Sequence, residues 1–170
     1  MDFGGGAAVG VGLIAGAMSL LLYIGIGMTP RQMKMNLFLM LGTMMFPPGG
    51  MAYVAGAMMH AMSSVAFALI HVAAYSALGL ESALVAWGVA FGVAHWVVVG
   101  MRLDMAPIMH PFMRRGEMGA PGAFALDYPG MTAMGFFVLQ IVFGVLVGAF
   151  YTALNVMITH KTSCLHPAEK

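Results

Sequence analysis

Charge is what this chain has least of. Only 8% of its 170 residues are Asp, Glu, Lys or Arg, where soluble domains carry about 25%. With 61% hydrophobic residues and a mean hydropathy of +0.92, the chain has too little polar surface to face water on every side. Acyl chains are the expected solvent, and the class is an integral membrane protein. Cysteine is nearly missing too. The single Cys164 excludes an intrachain disulfide and leaves the redox compartment unassigned. No acid falls inside any long apolar run, which disfavours a proton-coupled pump. Asp104, Glu117 and Asp127 share one loop, and there is no HExxH, Walker loop, GxSxG or CxxC. Hydrolytic and phosphoryl-transfer chemistry therefore has no candidate residues, and a non-catalytic protein that binds no nucleic acid is expected.

What is present is greasy, glycine-rich and methionine-rich. Four apolar runs, 7–28, 51–78, 82–101 and 131–158, approach or exceed the roughly 20 helical residues that cross a bilayer. A fifth, 37–46, is too short to span and stops at Pro47-Pro48-Gly49-Gly50, so it reads as an interfacial or re-entrant segment before the second span. The 102–130 loop is rich in Gly and Pro, and 159–170 reads as a disordered tail, so 1–170 is a single transmembrane domain. The start, MDFGGG, carries an acid in place of a basic n-region, so the first span is expected to stay as a helix and not be cleaved. Arg31, Lys34, Arg102, Arg114 and Arg115 fall in the two long loops, against Lys161 and Lys170 in the tail. The positive-inside rule then puts the loops in the cytoplasm and both termini outside.

Inside a bilayer, small residues mark helix contacts and polar groups turn toward protein. Gly12 and Gly16, Gly88 and Gly92, and Gly144 and Gly148 are each spaced for a close helix approach. In the second span Tyr53, Gly56, His60, Ser64, Phe67 and His71 fall on one stripe at 100° per residue. The fourth span repeats the pattern with Gln140, Gly144, Gly148, Tyr151 and Asn155, and the third places His95 on the face of Trp87 and Phe91. His60, His71, His95 and Gln140 are therefore expected in the bundle interior, with Ser64 and the fourth-span stripe serving helix packing.

The segments LGTMMFPPGG, AYVAGAMMHAMSSVAFALIHVAAY, AHWVVVGMRLDMAPIMHP and GFFVLQIVFGVLVGAFY resemble an uncharacterised family of small bacterial four-helix integral membrane proteins. The resemblance runs from the first span through the fourth and omits the tail. It implies a four-span all-α bundle in a bacterial inner membrane, with no activity attached.

Two residue sets invite a cofactor. His60, His71 and His95 are candidates for haem or pigment, because imidazole suits haem iron and buried ionisable groups are functional candidates. His60 and His71 are eleven residues apart, about 16 Å along one helix. A tight turn at 79–81 would set His95 opposite roughly residue 65, about 7–9 Å in height from either. A three-histidine metal site is thus disfavoured, and the plainer reading is that each imidazole bonds Ser64, Gln140 or a backbone carbonyl.

The second set is the stretch MRLDMAPIMHPFMRR, where Met101, Met105, Met109 and Met113 recur every fourth residue beside His110. Twelve of the twenty methionines lie in 28–51 and 101–118, and none in 63–100. Thioethers select Cu(I), so these five residues are copper candidates. Against that, Pro107 and Pro111 break the helix that would align them. The competing account is mechanical: methionine fills irregular gaps at adaptable surfaces, and an arginine-edged rim suits headgroups or a neighbouring subunit.

The expectation is an all-α, four-transmembrane-helix bundle acting as an accessory or assembly subunit of a larger inner-membrane complex, respiratory or photosynthetic. It would act by packing against other membrane subunits, lipid or pigment. A haem- or copper-binding membrane protein is the alternative, and a small homo-oligomeric channel a weaker third.

Overall fold

The computed structural model describes residues 5–25 and 35–165, and every described element is helical. The long helices are α1 (Gly5–Gly25), α3 (Gly50–Ala77), α4 (Leu84–Leu103) and α7 (Gly130–Leu165). Between them lie three short ones, α2 (Leu37–Gly42), α5 (Ala106–Met109) and α6 (Pro111–Arg114), and a 3₁₀ turn at Ala123–Ala125. Three stretches are long and apolar enough to cross a membrane: Gly50–Ala77, Leu84–Leu103 and Gly130–Leu154. In α1 the stretch Gly6–Ser19 is apolar but shorter. The helix starts fall within two residues of the sequence boundaries. α7 runs on to Leu165, so the backbone of 159–165, expected as a disordered tail, is helical.

Local sequence accounts for most of the breaks. Asn36 caps α2, its side-chain oxygen accepting from the Leu39 amide at 3.0 Å, one of the four amides a helix start leaves free. Pro47-Pro48 then bars any continuation into α3. At the far end of α3, Gly79 takes φ +63°, and the Leu80 amide reaches back to the Tyr75 carbonyl at 2.9 Å. This is a Schellman end, which needs a residue without Cβ strain at Gly79.

Glycine decides how the helices meet. α4 lies against α7 over the most extensive helix contact among the described residues. There a Cβ on Gly88 would strike the Gly144 carbonyl, and one on Gly144 would strike Gly88. Gly148 faces the Leu84 carbonyl in the same way, and Gly92 the Gln140 carbonyl. α1 packs on α3, with Gly12 against Val65 and Ala68 and Gly16 against Ser64. α2 closes on the start of α3, where Gly42 meets Ala52 and Gly56 meets Phe38. The three spaced glycine pairs read from the sequence all sit at such approaches. In lipid, backbones that come this close gain dispersion contacts that bulkier residues would forbid.

α3 meets α4 and α7 less intimately, through side chains. Tyr75, Phe143, Val147 and Tyr151 are all buried there, with Phe67 and Phe91 packed against them. A second, smaller core gathers Met35, Ala125 and Phe136 under Trp96. It is pinned by the turn at 122–125, where Phe124 and Ala125 adopt left-handed φ of 55° and 61°. Such angles cost non-glycine residues about 1–2 kcal/mol each. Phe124 gains in return a ring contact with Trp96 at 4.6 Å and the gap over Gly100.

Candidate functional site

The seam between α3 and the α4–α7 pair holds two of the three candidate imidazoles. The rings of His71 and His95 stand 5.9 Å apart, centre to centre, at 62°. Phe67 stacks on His95 at 3.6 Å, Phe91 meets His71 edge-on at 5.8 Å, and Phe143 touches both, at 5.9 and 5.6 Å. Tyr75 and Tyr151 continue the ring column toward the 78–83 turn. His95 therefore lies opposite residues 67–71, and not near 65 as a turn centred on residue 80 would set it. The connection is longer than the turn assumed: α3 ends at Ala77, α4 begins at Leu84, and Ala83 spends a left-handed residue (φ 55°) on the way in.

His71 is 3% exposed. Its Nδ1 donates to the Phe67 carbonyl at 2.7 Å, which fixes the proton there and leaves Nε2 with a lone pair. The Phe91 backbone approaches the ring without forming a hydrogen bond at Nε2. His95 Nδ1 is likewise buried with no partner. So two imidazole nitrogens from two helices lie unsatisfied in one aromatic enclosure. Neither Ser64 nor Gln140 relieves them: Ser64 Oγ donates to the His60 carbonyl at 2.9 Å, and no hydrogen bond of the Gln140 side chain exists among the described residues.

His60 stands apart. It is half-buried beside Phe38 of α2, ring centres 5.7 Å apart, with the Gly16 backbone of α1 close by and Nε2 without a partner. Tyr53, placed on the same stripe, is 44% exposed, and Asn36 Nδ2 donates to its hydroxyl at 2.7 Å. On α7, Gly144, Gly148 and Tyr151 are buried and Gln140 is half-buried, while the Asn155 side chain lies outside the described residues. A porphyrin joining His71 to His95 would need a slot far wider than the imidazoles. The rings of Phe67, Phe91 and Phe143 occupy that space, so the residues present do not fit a haem there.

The five residues of the methionine-rich stretch are not brought together. Met101 ends in the last turn of α4, Met105 precedes α5 and Met109 closes it, and all three are exposed. Met113 is buried in α6. His110 is 3% exposed and both its nitrogens are occupied. Nδ1 accepts from the Met113 amide at 3.3 Å, and Nε2 lies 2.9 Å from the Met40 carbonyl and 3.1 Å from Thr43 Oγ1. His110 thus caps α6 and ties the loop to the end of α2. The signal for this role was in the sequence: a residue just before Pro111, which takes the first helical position, is an N-cap position. Residues 28–34 of the other methionine-rich loop lie outside the described residues, as do the side chains of His160, Cys164 and His166. No group of three or more His, Cys, Asp or Glu that could hold a metal exists among the described residues.

No protein-family model, curated protein or solved structure matches this chain. What the seam does must be read from its own residues.

Proposed function

We propose that the chain is a multi-pass protein of a bacterial inner membrane, a four-span bundle with α1 as the fourth span. At 21 residues α1 is about 30 Å long, the thickness of a bilayer's hydrocarbon core. In this reading the long loops face the cytoplasm and the termini lie outside. The protein works without catalysis, as an accessory or assembly subunit of a larger membrane complex of the respiratory or photosynthetic kind, in contact with other subunits and with lipid.

One observation carries the reading. The outer faces of the long helices are large, apolar and uncovered. Met51, Val54, Met58, Met62 and Ile70 of α3 are 57–70% exposed. Val85, Val89, Val93 and Val97 make an exposed stripe along α4. Water does not solvate a surface of this extent, whereas lipid and neighbouring helices do. The unbranched methionines of α3 suit a contact that must adapt to a partner's shape.

The mass of the protein in a mild-detergent extract of its native membranes tests the partnership. A particle well above the chain's own 17.9 kDa, containing other subunits in fixed ratio, is expected. A particle of this chain alone, single or as a symmetric ring, would overturn the accessory role. Labelling single cysteines placed at Arg114 and Asp2 in sealed vesicles, in a Cys164→Ser background, tests the orientation. Arg114 should react only from the cytoplasmic side.

A further inference from the structure

We propose that His71 and His95 form a two-coordinate site for a soft monovalent metal ion, Cu(I) in chemical class. The site is independent of the subunit role above.

A buried nitrogen with no partner is destabilising, and here two of them, His71 Nε2 and His95 Nδ1, sit in one enclosure. The Phe91 backbone lies near the His71 ring but makes no hydrogen bond at Nε2, and none reaches His95 Nδ1. That leaves three things that could satisfy such a pair. A water would need two to four polar partners, but the rings of Phe67, Phe91 and Phe143 make up most of the surroundings. A proton shared between the rings would show as a nitrogen–nitrogen hydrogen bond, and neither atom has one. A metal ion remains.

The donor set then selects the metal. Both ligands are neutral imidazoles, and no carboxylate or thiolate joins them, since no cluster of three or more His, Cys, Asp or Glu forms among the described residues. Zinc takes four ligands in a tetrahedron, Cu(II) a tetragonal set, and Ca²⁺ or Mg²⁺ six or more oxygens. A d¹⁰ monovalent ion is content with two donors in line. The spacing matches: two metal–nitrogen bonds of roughly 2 Å, plus roughly 1 Å from each ring centre to its nitrogen, span about 6 Å. The observed separation is 5.9 Å. The tautomer is also preset, because Nδ1–H of His71 is held by the Phe67 carbonyl and Nε2 is left as the donor.

The experiment is a Cu(I) titration of the whole protein in detergent, under anaerobic conditions against a chromophoric Cu(I) chelator, repeated with Ag(I). One ion per chain is expected, and X-ray absorption should show two nitrogen neighbours and no sulfur. His95→Phe and His71→Phe should each weaken binding at least a hundredfold, while a variant with Met101, Met105 and Met109 all changed to Leu should bind as the parent does. Nitrogen NMR of the unaltered protein, labelled at histidine, avoids any dependence on variant folding. Ag(I) should shift the ring signals of His71 and His95 and leave those of His60 and His110 in place. No binding, sulfur-dominated absorption, unaltered affinity in His95→Phe, or shifts confined to other histidines would each overturn the site.

Discussion

His110 in the loop and His71 in the bundle are equally buried, each 3% exposed, yet His110 has partners for both nitrogens and His71 for only one. The difference lies in what surrounds them. A helix leaves its last four carbonyls and first four amides unbonded. His110 sits where two such ends converge, with the Met40 carbonyl from the end of α2 on one side and the Met113 amide from the first turn of α6 on the other. His71 sits mid-helix, where every nearby carbonyl already serves the helix ladder. It can only share one, that of Phe67, one turn back on its own helix. A polar side chain buried among helix ends is satisfied by the fold, and one buried among helix middles waits for something else.

Breaking the frame that holds the bundle imidazoles should have the largest effect. Gly144→Leu places a branched side chain where the Gly88 carbonyl now lies, and neither backbone can retreat without opening α4 from α7. A loss of at least about 3 kcal/mol is expected, the upper end of overpacking costs. It would be read from unfolding in mixed detergent micelles, with the His71–His95 spacing lost as well. Gly10→Ala is the control: a Cβ there meets nothing within 4 Å. It should be neutral or gain up to about 1 kcal/mol from helix propensity. Equal losses in both would mean that glycine here serves flexibility and not close approach.

Next comes the satisfied imidazole. His110→Ala leaves the Met113 amide without its cap, at about 1–3 kcal/mol for a buried group left unmade. It also takes from the Met40 carbonyl one of two partners, the Thr43 hydroxyl at 3.2 Å remaining. Proteolysis of the 102–130 loop in the folded protein should rise sharply, while the α3–α4–α7 seam stays intact. His71→Phe is the opposite test. It removes the unpartnered Nε2 together with the Nδ1–H that donates to the Phe67 carbonyl. That carbonyl keeps its place in the helix ladder and the ring is of similar size, so without metal the change should be close to neutral, within about 1 kcal/mol. A large loss in metal-free protein would show that Nε2 already has a partner, and the contrast between the two histidines would fail.

How much of this could be read in advance follows the same division. The stripe from Gly56 to His71 was legible because a buried helix face repeats every 3.6 residues. The glycine approaches were legible because only glycine permits them. Tyr53 left its stripe because α2 offered Asn36 as a partner at the helix start, a tertiary event that no period encodes. His95 lies opposite residues 67–71 and not near 65 because the Schellman end at Gly79 and the left-handed Ala83 lengthen the connection to 78–83. His110 looked like a metal ligand because methionines flank it in sequence. In space its neighbours are a carbonyl, a hydroxyl and an amide from two helix ends. Spacing along a chain broken at Pro107 and Pro111 says little about who meets whom.

The smallest effect belongs to the loop's ion pair, which is polar contact without burial. Arg115 Nε and Nη2 lie 2.5 and 3.2 Å from the two Glu117 carboxylate oxygens, with both side chains about half exposed. The hydrogen bonds from Arg115, and then its charge, hold the Glu117 carboxyl below its usual value of 4.5. Because the folded value is the lower one, the pair's contribution is complete above about pH 4.5 and is lost as pH falls through the folded value. Water and salt screen it throughout. Glu117→Gln should therefore leave the melting midpoint at pH 7 almost where it was, and the small gap to the parent should close in acid, below the folded value, and in high salt. His110, a few residues away and buried, should show a loss that salt does not touch. If Glu117→Gln instead costs as much as His110→Ala, burial is not what separates strong polar contacts from weak ones in this loop.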